Sequence, residues 1–260
     1  MTPAETPEQH AARPDGPVDV SLIVPCYNER ELLEHTIPPL FDALSGAFPR
    51  CELVLVDNGS TDGTADVIGR VTRLDPRIRT TRVPVNLGYG LGVLTGYEVV
   101  RGRCVGHIPA DGPVAPEDVV AIARRALDEG AGALVTAVRL QRQDTWVRRL
   151  VSRSYNLVFF VLFGSLTQDI NGTPKFLHAE DLRRVAPRSR DYFLEAEMMI
   201  KARRLGIRIV PVRVYSRSRE GGRSKVSARL VMACVEFVRN LVRARVGLLA
   251  IAGLCLGLVP

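Results

Sequence analysis

Three short polar clusters stand directly after apolar runs. Tyr27-Asn28-Glu29 follows Val18–Val24 (VDVSLIV) and Pro25. Asp57-Asn-Gly-Ser-Thr-Asp-Gly63 follows Glu52–Val56 (ELVLV). Asp111 follows Cys104–Ile108 (CVGHI), inside His107-Ile-Pro-Ala-Asp-Gly-Pro-Val-Ala-Pro-Glu117. Carboxylates accept hydrogen bonds from hydroxyls and amides, and they are hard oxygen donors to a cation such as Mg²⁺. Asp111 stands alone: two residues earlier the chain has Pro109, whose side chain ligates nothing. A lone carboxylate there leaves three readings open: a metal site with half its ligands, an enzyme that works without metal, or a fold that no longer does chemistry.

Other chemistries are absent. There is no G-x-x-x-x-G-K-[ST] loop and no HExxH. The first apolar run is followed by Pro25-Cys26-Tyr27-Asn28-Glu29 in place of G-x-G-x-x-G, and the glycines of Asn86-Leu-Gly-Tyr-Gly-Leu-Gly92 have the wrong spacing for that fingerprint. The five cysteines (Cys26, Cys51, Cys104, Cys234, Cys255) lie far apart, and no pair has metal or redox spacing. They read as buried small hydrophobes in a reducing compartment. A net charge of +7 favours anionic partners, and arginines crowd the second half from Arg139 to Arg245. Nucleic acid is not the expected partner, because the basic segments lack interleaved aromatics and adjoin apolar runs.

The elements that would position these residues alternate in type. After the first strand, Glu31–Leu44 has helical spacing. Glu52–Val56 is a strand, Thr64–Leu74 a helix, Arg77–Val83 a strand and Leu91–Arg101 a helix. Cys104–Ile108 is a fourth strand and Pro116–Gly130 a helix begun by Pro116, with Glu117 and Asp118 in its first turn. Ala133–Val138 and Ile207–Val214 are further strands. Uninterrupted apolar strands alternating with helices predict an α/β fold, a mostly parallel sheet covered on both faces. Ligands of such sheets bind beyond the carboxyl ends of the strands, where the three polar clusters fall.

The flanks differ. Residues 1–17, rich in Pro, Ala and charge and without an apolar core, read as a disordered tail and not as a secretory signal. Arg148–Gly164 (RRLVSRSYNLVFFVLFG) is basic and then apolar, which suits either a core helix or an interfacial helix on a membrane surface. Val226–Arg245 is a basic amphipathic helix. Val246–Pro260 is apolar for about 15 residues, roughly 22 Å as a helix, short of the ~30 Å hydrocarbon core. An interfacial anchor, a re-entrant segment and a helix packed on the domain all remain open. Arg243 and Arg245 would keep its start cytoplasmic.

Val24-Pro-Cys-Tyr-Asn-Glu29, Val54-Leu-Val-Asp-Asn-Gly-Ser-Thr-Asp-Gly-Thr64 and Asn86-Leu-Gly88 together resemble the nucleotide-binding half of family 2 glycosyltransferases with the GT-A fold. Ser154-Tyr-Asn-Leu, Asp169-Ile-Asn-Gly-Thr-Pro-Lys175, Phe193-Leu-Glu-Ala-Glu197 and Arg219–Val226 (REGGRSKV) resemble the branch of dolichyl-phosphate mannose synthases and bacterial polyprenyl-phosphate glycosyltransferases. The resemblance runs from about Val18 to Val226. It implies a GT-A domain over 18–225, followed by membrane-associated helices over 226–260.

It also implies roles. Pro25, Tyr27 and Glu29 would border the nucleoside of the donor, with Glu29 accepting from ribose hydroxyls. Asn86, Gly88 and Ala110 would complete the donor site. Asp57 would accept from the base, although an Asp in that position also serves as a turn cap. Asp111 would face the diphosphate, and a carboxylate there calls for a cation between them, Mg²⁺ or Mn²⁺. The family pattern is Asp-x-Asp, often with a following Gln; here Pro109 and Pro113 occupy the outer positions. One carboxylate suffices for a weakly held Mg²⁺ that keeps waters and phosphate oxygens. Lys175, Arg217, Arg219, Arg223 and Lys225 are candidates for the missing positive charge.

A lipid phosphate acceptor is already ionised at neutral pH and needs no strong base. Arg139, Arg149 and Arg153 would bind it. A hydroxyl acceptor would need a carboxylate base, for which Glu195 and Glu197 are candidates. At i and i+2 on a helix they point to different faces, so at most one faces the site. The expected function is inverting transfer of a sugar from a nucleoside-diphosphate sugar to a polyprenyl phosphate at the cytoplasmic membrane face. The rivals are a GT-A enzyme with a hydroxyl acceptor and a non-catalytic glycosyltransferase-like binding protein. Oligomeric state is left open.

Overall fold

The computed structural model describes residues 16–111, 114–140 and 169–215. Arg149, Arg153, Arg217, Arg219, Arg223 and Lys225 lie outside the described residues. So do the helix expected over 148–164, the helices expected over 226–260 and nearly all of the expected N-terminal tail. Seven strands form one sheet: β1 Val20–Cys26, β2 Cys51–Asn58, β3 Ile78–Val83, β4 Cys104–His107, β5 Ala133–Leu140, β6 Lys175–His178 and β7 Arg208–Tyr215. Their order is β3-β2-β1-β4-β6-β5-β7. All neighbouring pairs are parallel except those of β6, which runs antiparallel between β4 and β5. The mostly parallel α/β sheet expected from the sequence is therefore present, with one reversed strand inserted between β4 and β5.

β1 and β2 are buried along their whole lengths, as uninterrupted apolar strands must be when both faces are covered. Their side chains alternate between two cores. Leu22, Val24, Leu53 and Leu55 meet the helices α1 (Arg30–Ala47), α2 (Thr64–Val71) and α4 (Pro116–Glu129). Ile23, Val54 and Val56 meet α3 (Tyr89–Val99), α5 (Ala179–Val185) and α6 (Leu194–Arg204) on the other face.

Several boundaries differ from expectation. The first strand passes through Pro25. The β4 ladder ends at the Ile23–His107 pair, so Pro25 lies beyond it and its missing N–H forfeits nothing on that side. α1 contains Pro38 and Pro39 yet runs on to Ala47. Leu33, Ile37, Leu40, Phe41 and Leu44 form one buried stripe, and that packing outweighs the local penalty of proline. α3 begins at Tyr89, two residues earlier than the apolar pattern suggests. β6 has only four residues, too few for periodicity to announce. No helix among the described residues is long and apolar enough to cross a membrane.

Candidate functional site

The carboxyl ends of β1, β2 and β4 lie on one edge of the sheet. Cys26 is level with Asp57 across the β1–β2 ladder. The loops beyond them are laced together by backbone-to-side-chain bonds. Asn28 N–H donates to Ser60 Oγ (3.1 Å), Thr61 N–H to Asn28 Oδ1 (2.9 Å) and Glu29 N–H to Thr64 Oγ1 (2.9 Å). Asn28 takes a left-handed conformation (φ 53°), one of the few non-glycine residue types that tolerate it. Beyond the end of β1, Tyr27 is exposed and Glu29 half-buried.

Asp57 is buried at the end of β2. Its Oδ1 accepts the Ser60 N–H at 2.9 Å, while Oδ2 lies 3.2 Å from Arg82 Nε. The turn-capping role that the sequence left open is therefore real, and it uses one oxygen. The next loop is drawn in beside it: Asn58 Nδ2 donates to Gly88 O (3.0 Å), and Gly88 N–H donates to Asn86 Oδ1 (2.9 Å). Asn86 and Gly88 thus shape this loop around Asn58. Gly59 (φ +73°) lets the loops touch, since a Cβ there would lie 2.5 Å from Asn86 N. Ala110 is buried at the β4 end, and Asp111 is half-buried next to it.

On the far side of the reversed strand, Arg139 near the end of β5 meets Asp169 with two parallel bonds, Nε to Oδ2 (2.7 Å) and Nη2 to Oδ1 (3.0 Å). Nη2 also donates to Asn171 O (3.1 Å). This paired geometry is the strong form of an arginine–carboxylate contact.

Lys175 and Glu195 are both buried and bonded to each other, Nζ to Oε2, at 2.7 Å. Glu195 Oε1 lies 2.9 Å from His107 Nε2, and His107 Nδ1 lies 2.7 Å from Tyr97 Oη. Burial pushes the Glu195 carboxyl up, but the Lys175 ammonium and His107 outweigh it and hold the group well below the usual carboxylate range. Desolvation first, then the Glu195 charge, raise the Tyr97 phenol. Glu197 points elsewhere. It accepts from the backbone N–H groups of Arg188 (3.0 Å) and Ser189 (2.7 Å) and pairs with Lys201 at 2.6 Å. It thereby fastens a segment that lies on the start of α3, where Tyr192 stacks on Tyr89 (5.1 Å between ring centroids) and Leu91 N–H donates to Arg190 O.

Two expectations change with this geometry. Lys175, a candidate for direct phosphate contact, is enclosed, and its three N–H donors go to Glu195, Ile170 O and Gly172 O. Glu197, a candidate base, is committed to backbone amides. Sequence reasoning missed His107 and Tyr97 as polar partners of this core, and it missed Asp169 as the holder of Arg139. A histidine within an apolar strand was the one available signal for the first.

The sequence profile of glycosyl transferase family 2 matches residues 21–185, more than half of the chain. The chain belongs to glycosyl transferase family 2. Among its relatives is the undecaprenyl-phosphate 4-deoxy-4-formamido-L-arabinose transferase of Edwardsiella ictaluri (strain 93-146), 32% identical over 139 residues, 53% of this chain and 42% of that protein. The same-named transferase of Enterobacter sp. (strain 638) is 33% identical over 139 residues, again 53% and 42%. The match thus spans less than half the length of these curated relatives. The fold is shared with glucosyl-3-phosphoglycerate synthase from Mycobacterium tuberculosis, solved with Mn²⁺, UDP and glucosyl-3-phosphoglycerate (TM-score 0.67, 21% identity, covering 95% of this chain and 86% of that one). A mycobacterial protein of solved structure has a TM-score of 0.69 at 24% identity, covering 88% and 75%.

Among solved structures of this fold, the glucosyl-3-phosphoglycerate synthase thus holds Mn²⁺ and UDP. Among the described residues of this chain no group of three or more His, Cys, Asp or Glu side chains could hold a metal ion. The donor set at the β4 end, a single carboxylate on Asp111, suits a hard cation that takes its other ligands from phosphate oxygens and water, and does not suit a metal caged by protein alone.

Proposed function

We propose that this chain carries the catalytic domain, residues 18–225, of an inverting glycosyltransferase. It moves a sugar from a nucleoside diphosphate to a polyprenyl phosphate at the cytoplasmic face of a membrane. The observation that carries the acceptor class is the engagement of both α6 carboxylates. Glu195 is neutralised by Lys175 and Glu197 is bonded to backbone, while Arg139 is held in fixed orientation by Asp169. A hydroxyl acceptor requires a base; an ionised phosphate requires a cation and precise placement. The names of the curated relatives support the same class.

The donor lies across the β1, β2 and β4 ends. Glu29 and Asp57 accept from ribose and base, Tyr27 borders the nucleoside, and Asn86 and Gly88 shape the adjoining wall. Asp111 would hold a Mg²⁺ or Mn²⁺, which when bound neutralises the diphosphate. Arg139, with Arg149 and Arg153, orients the acceptor phosphate. One phosphate oxygen attacks the anomeric carbon, forming the new C–O bond. The bond to the diphosphate breaks in line, and the electron pair leaves with the nucleoside diphosphate. No proton need move. Arg219, Arg223 and Lys225 supply further positive charge to the diphosphate. The basic and apolar segments 148–164 and 226–260 hold the domain at the lipid surface.

The test is transfer by the full chain in detergent from radiolabelled UDP- and GDP-sugars to undecaprenyl phosphate, with and without EDTA. The donor panel includes a UDP-formamidopentose. A lipid-linked product that EDTA suppresses is expected. A product insensitive to EDTA keeps the acceptor and removes the metal. Failure with every donor, alongside transfer to a hydroxyl acceptor, overturns the reading.

A further inference from the structure

Lys175 opens β6 and stands level with His107 of β4 on one side and Thr136 of β5 on the other. It therefore joins the half of the sheet that ends in Asp111 to the half that ends in Arg139. Its Nζ donates to Ile170 O (3.0 Å), Gly172 O (2.6 Å) and Glu195 Oε2 (2.7 Å). An ammonium has three donors, so these bonds use all of them. Two of the three go to one tight turn. Gly172 O also accepts from Thr136 Oγ1 (3.1 Å), and Gly172 N–H closes the turn onto Asp169 O (3.1 Å). The same turn carries Asp169 and Asn171, which grip the Arg139 guanidinium.

We propose that Lys175 is a positioning residue: its buried ammonium orders the 169–172 turn, and the turn aims Arg139 at the acceptor phosphate. Glu195 is the counter-charge that lets the ammonium stay buried, and His107 ties that carboxylate to β4. Breaking a buried pair from one side strands a charge, whereas removing both charges does not. Stability and positioning can therefore be separated. The inference rests on the acceptor role proposed for Arg139.

The experiment compares the full-length wild type with Lys175→Met and with the double variant Lys175→Met/Glu195→Gln. Melting temperature, the Kd of the donor's nucleoside diphosphate, the KM for undecaprenyl phosphate and amide hydrogen exchange over 136–140 and 169–176 are measured. Lys175→Met lowers the melting temperature, and the double variant regains most of it. In both, the KM for undecaprenyl phosphate rises about tenfold or more, the scale of a misplaced binding group. Exchange at Arg139 and Gly172 quickens, while nucleotide Kd stays within about twofold, below the cost of one lost hydrogen bond. Recovery of KM together with melting temperature in the double variant overturns the proposal, as does a nucleotide Kd that rises in step with KM. If Lys175→Met does not fold, the double variant alone gives the same comparison with wild type. If the wild type makes no lipid-linked product, the acceptor reading has failed on its own. Exchange then decides whether Lys175 orders the turn, and unchanged exchange rejects it.

Discussion

Glu195 and Glu197 lie two residues apart on α6 and serve opposite sides of it. Glu195 ends on Lys175 and His107 within the core, and Glu197 turns back onto the amides of Arg188 and Ser189. A helix rotates about 100° per residue, so i and i+2 cannot share a face. Neither carboxylate is left as an evident base, and the consequences can be measured.

Glu197→Gln should cost stability and spare chemistry. It removes a charge that accepts two backbone bonds and pairs with Lys201, worth about 1–3 kcal/mol. The melting temperature should fall by several degrees, with kcat within about threefold of wild type. A loss of about a hundredfold or more in kcat, the scale of a lost general base, would instead favour a hydroxyl acceptor.

Asp57→Ala should weaken donor nucleotide binding about 10- to 100-fold, the equivalent of a charge-assisted hydrogen bond of roughly 1.5–3 kcal/mol. The Ser60 cap is lost as well, so Asp57→Asn is the cleaner comparison: it keeps an acceptor for Ser60 N–H and removes the charge beside Arg82. Calorimetric titration with UDP and GDP reads both variants. Unchanged affinity in Asp57→Ala would leave Asp57 as a turn cap alone.

The folded Glu195 carboxyl sits below its ordinary value of 4.5 because Lys175 and His107 outweigh its burial. A depressed acid contributes stability that is fully present above the unfolded value and is lost as pH falls through the folded one. Wild-type melting temperature should therefore show no loss from this group between pH 5 and 8, and a fall below about pH 4.5. In Glu195→Gln the acid-side fall should be shallower. An equally steep fall in that variant would remove Glu195 from the acid response.

Gly172→Ala tests the turn by sterics. A Cβ at this position would lie 1.9 Å from Ala137 O, which is backbone and cannot swing away. Overpacking of this kind costs about 1–3 kcal/mol or more, a drop of roughly 2–12 °C in melting temperature for a domain of this size. A substitution with no thermal effect would show that the 169–172 turn is looser than its contacts indicate.

Much of the architecture was legible in one dimension. The apolar runs that became β1, β2, β4 and β5 are uninterrupted because both faces of those strands are covered, and the polar clusters after them mark the ends where a parallel sheet opens. Asp57 could be read as a turn cap because that bond, to Ser60 N–H, spans only three residues. Motif resemblance also carried the family. By contrast, β6 escaped notice because four residues hold no period, and its reversed direction depends on which neighbours it meets.

What tertiary structure alone decided is the fate of the charged side chains. Lys175 looked like a phosphate ligand and Glu197 like a base while only residue type and order were known. A buried charge is tolerated only with its partner, and the partners here are remote in the chain: Glu195 lies 20 residues from Lys175 and 88 from His107, and Asp169 lies 30 from Arg139. The sequence by itself determined the alternation of elements and the polar ends of the strands, because both are properties of short segments. The pairing of Lys175 with Glu195, and of Arg139 with Asp169, arose only when the reversed strand brought β4, β5 and α6 together.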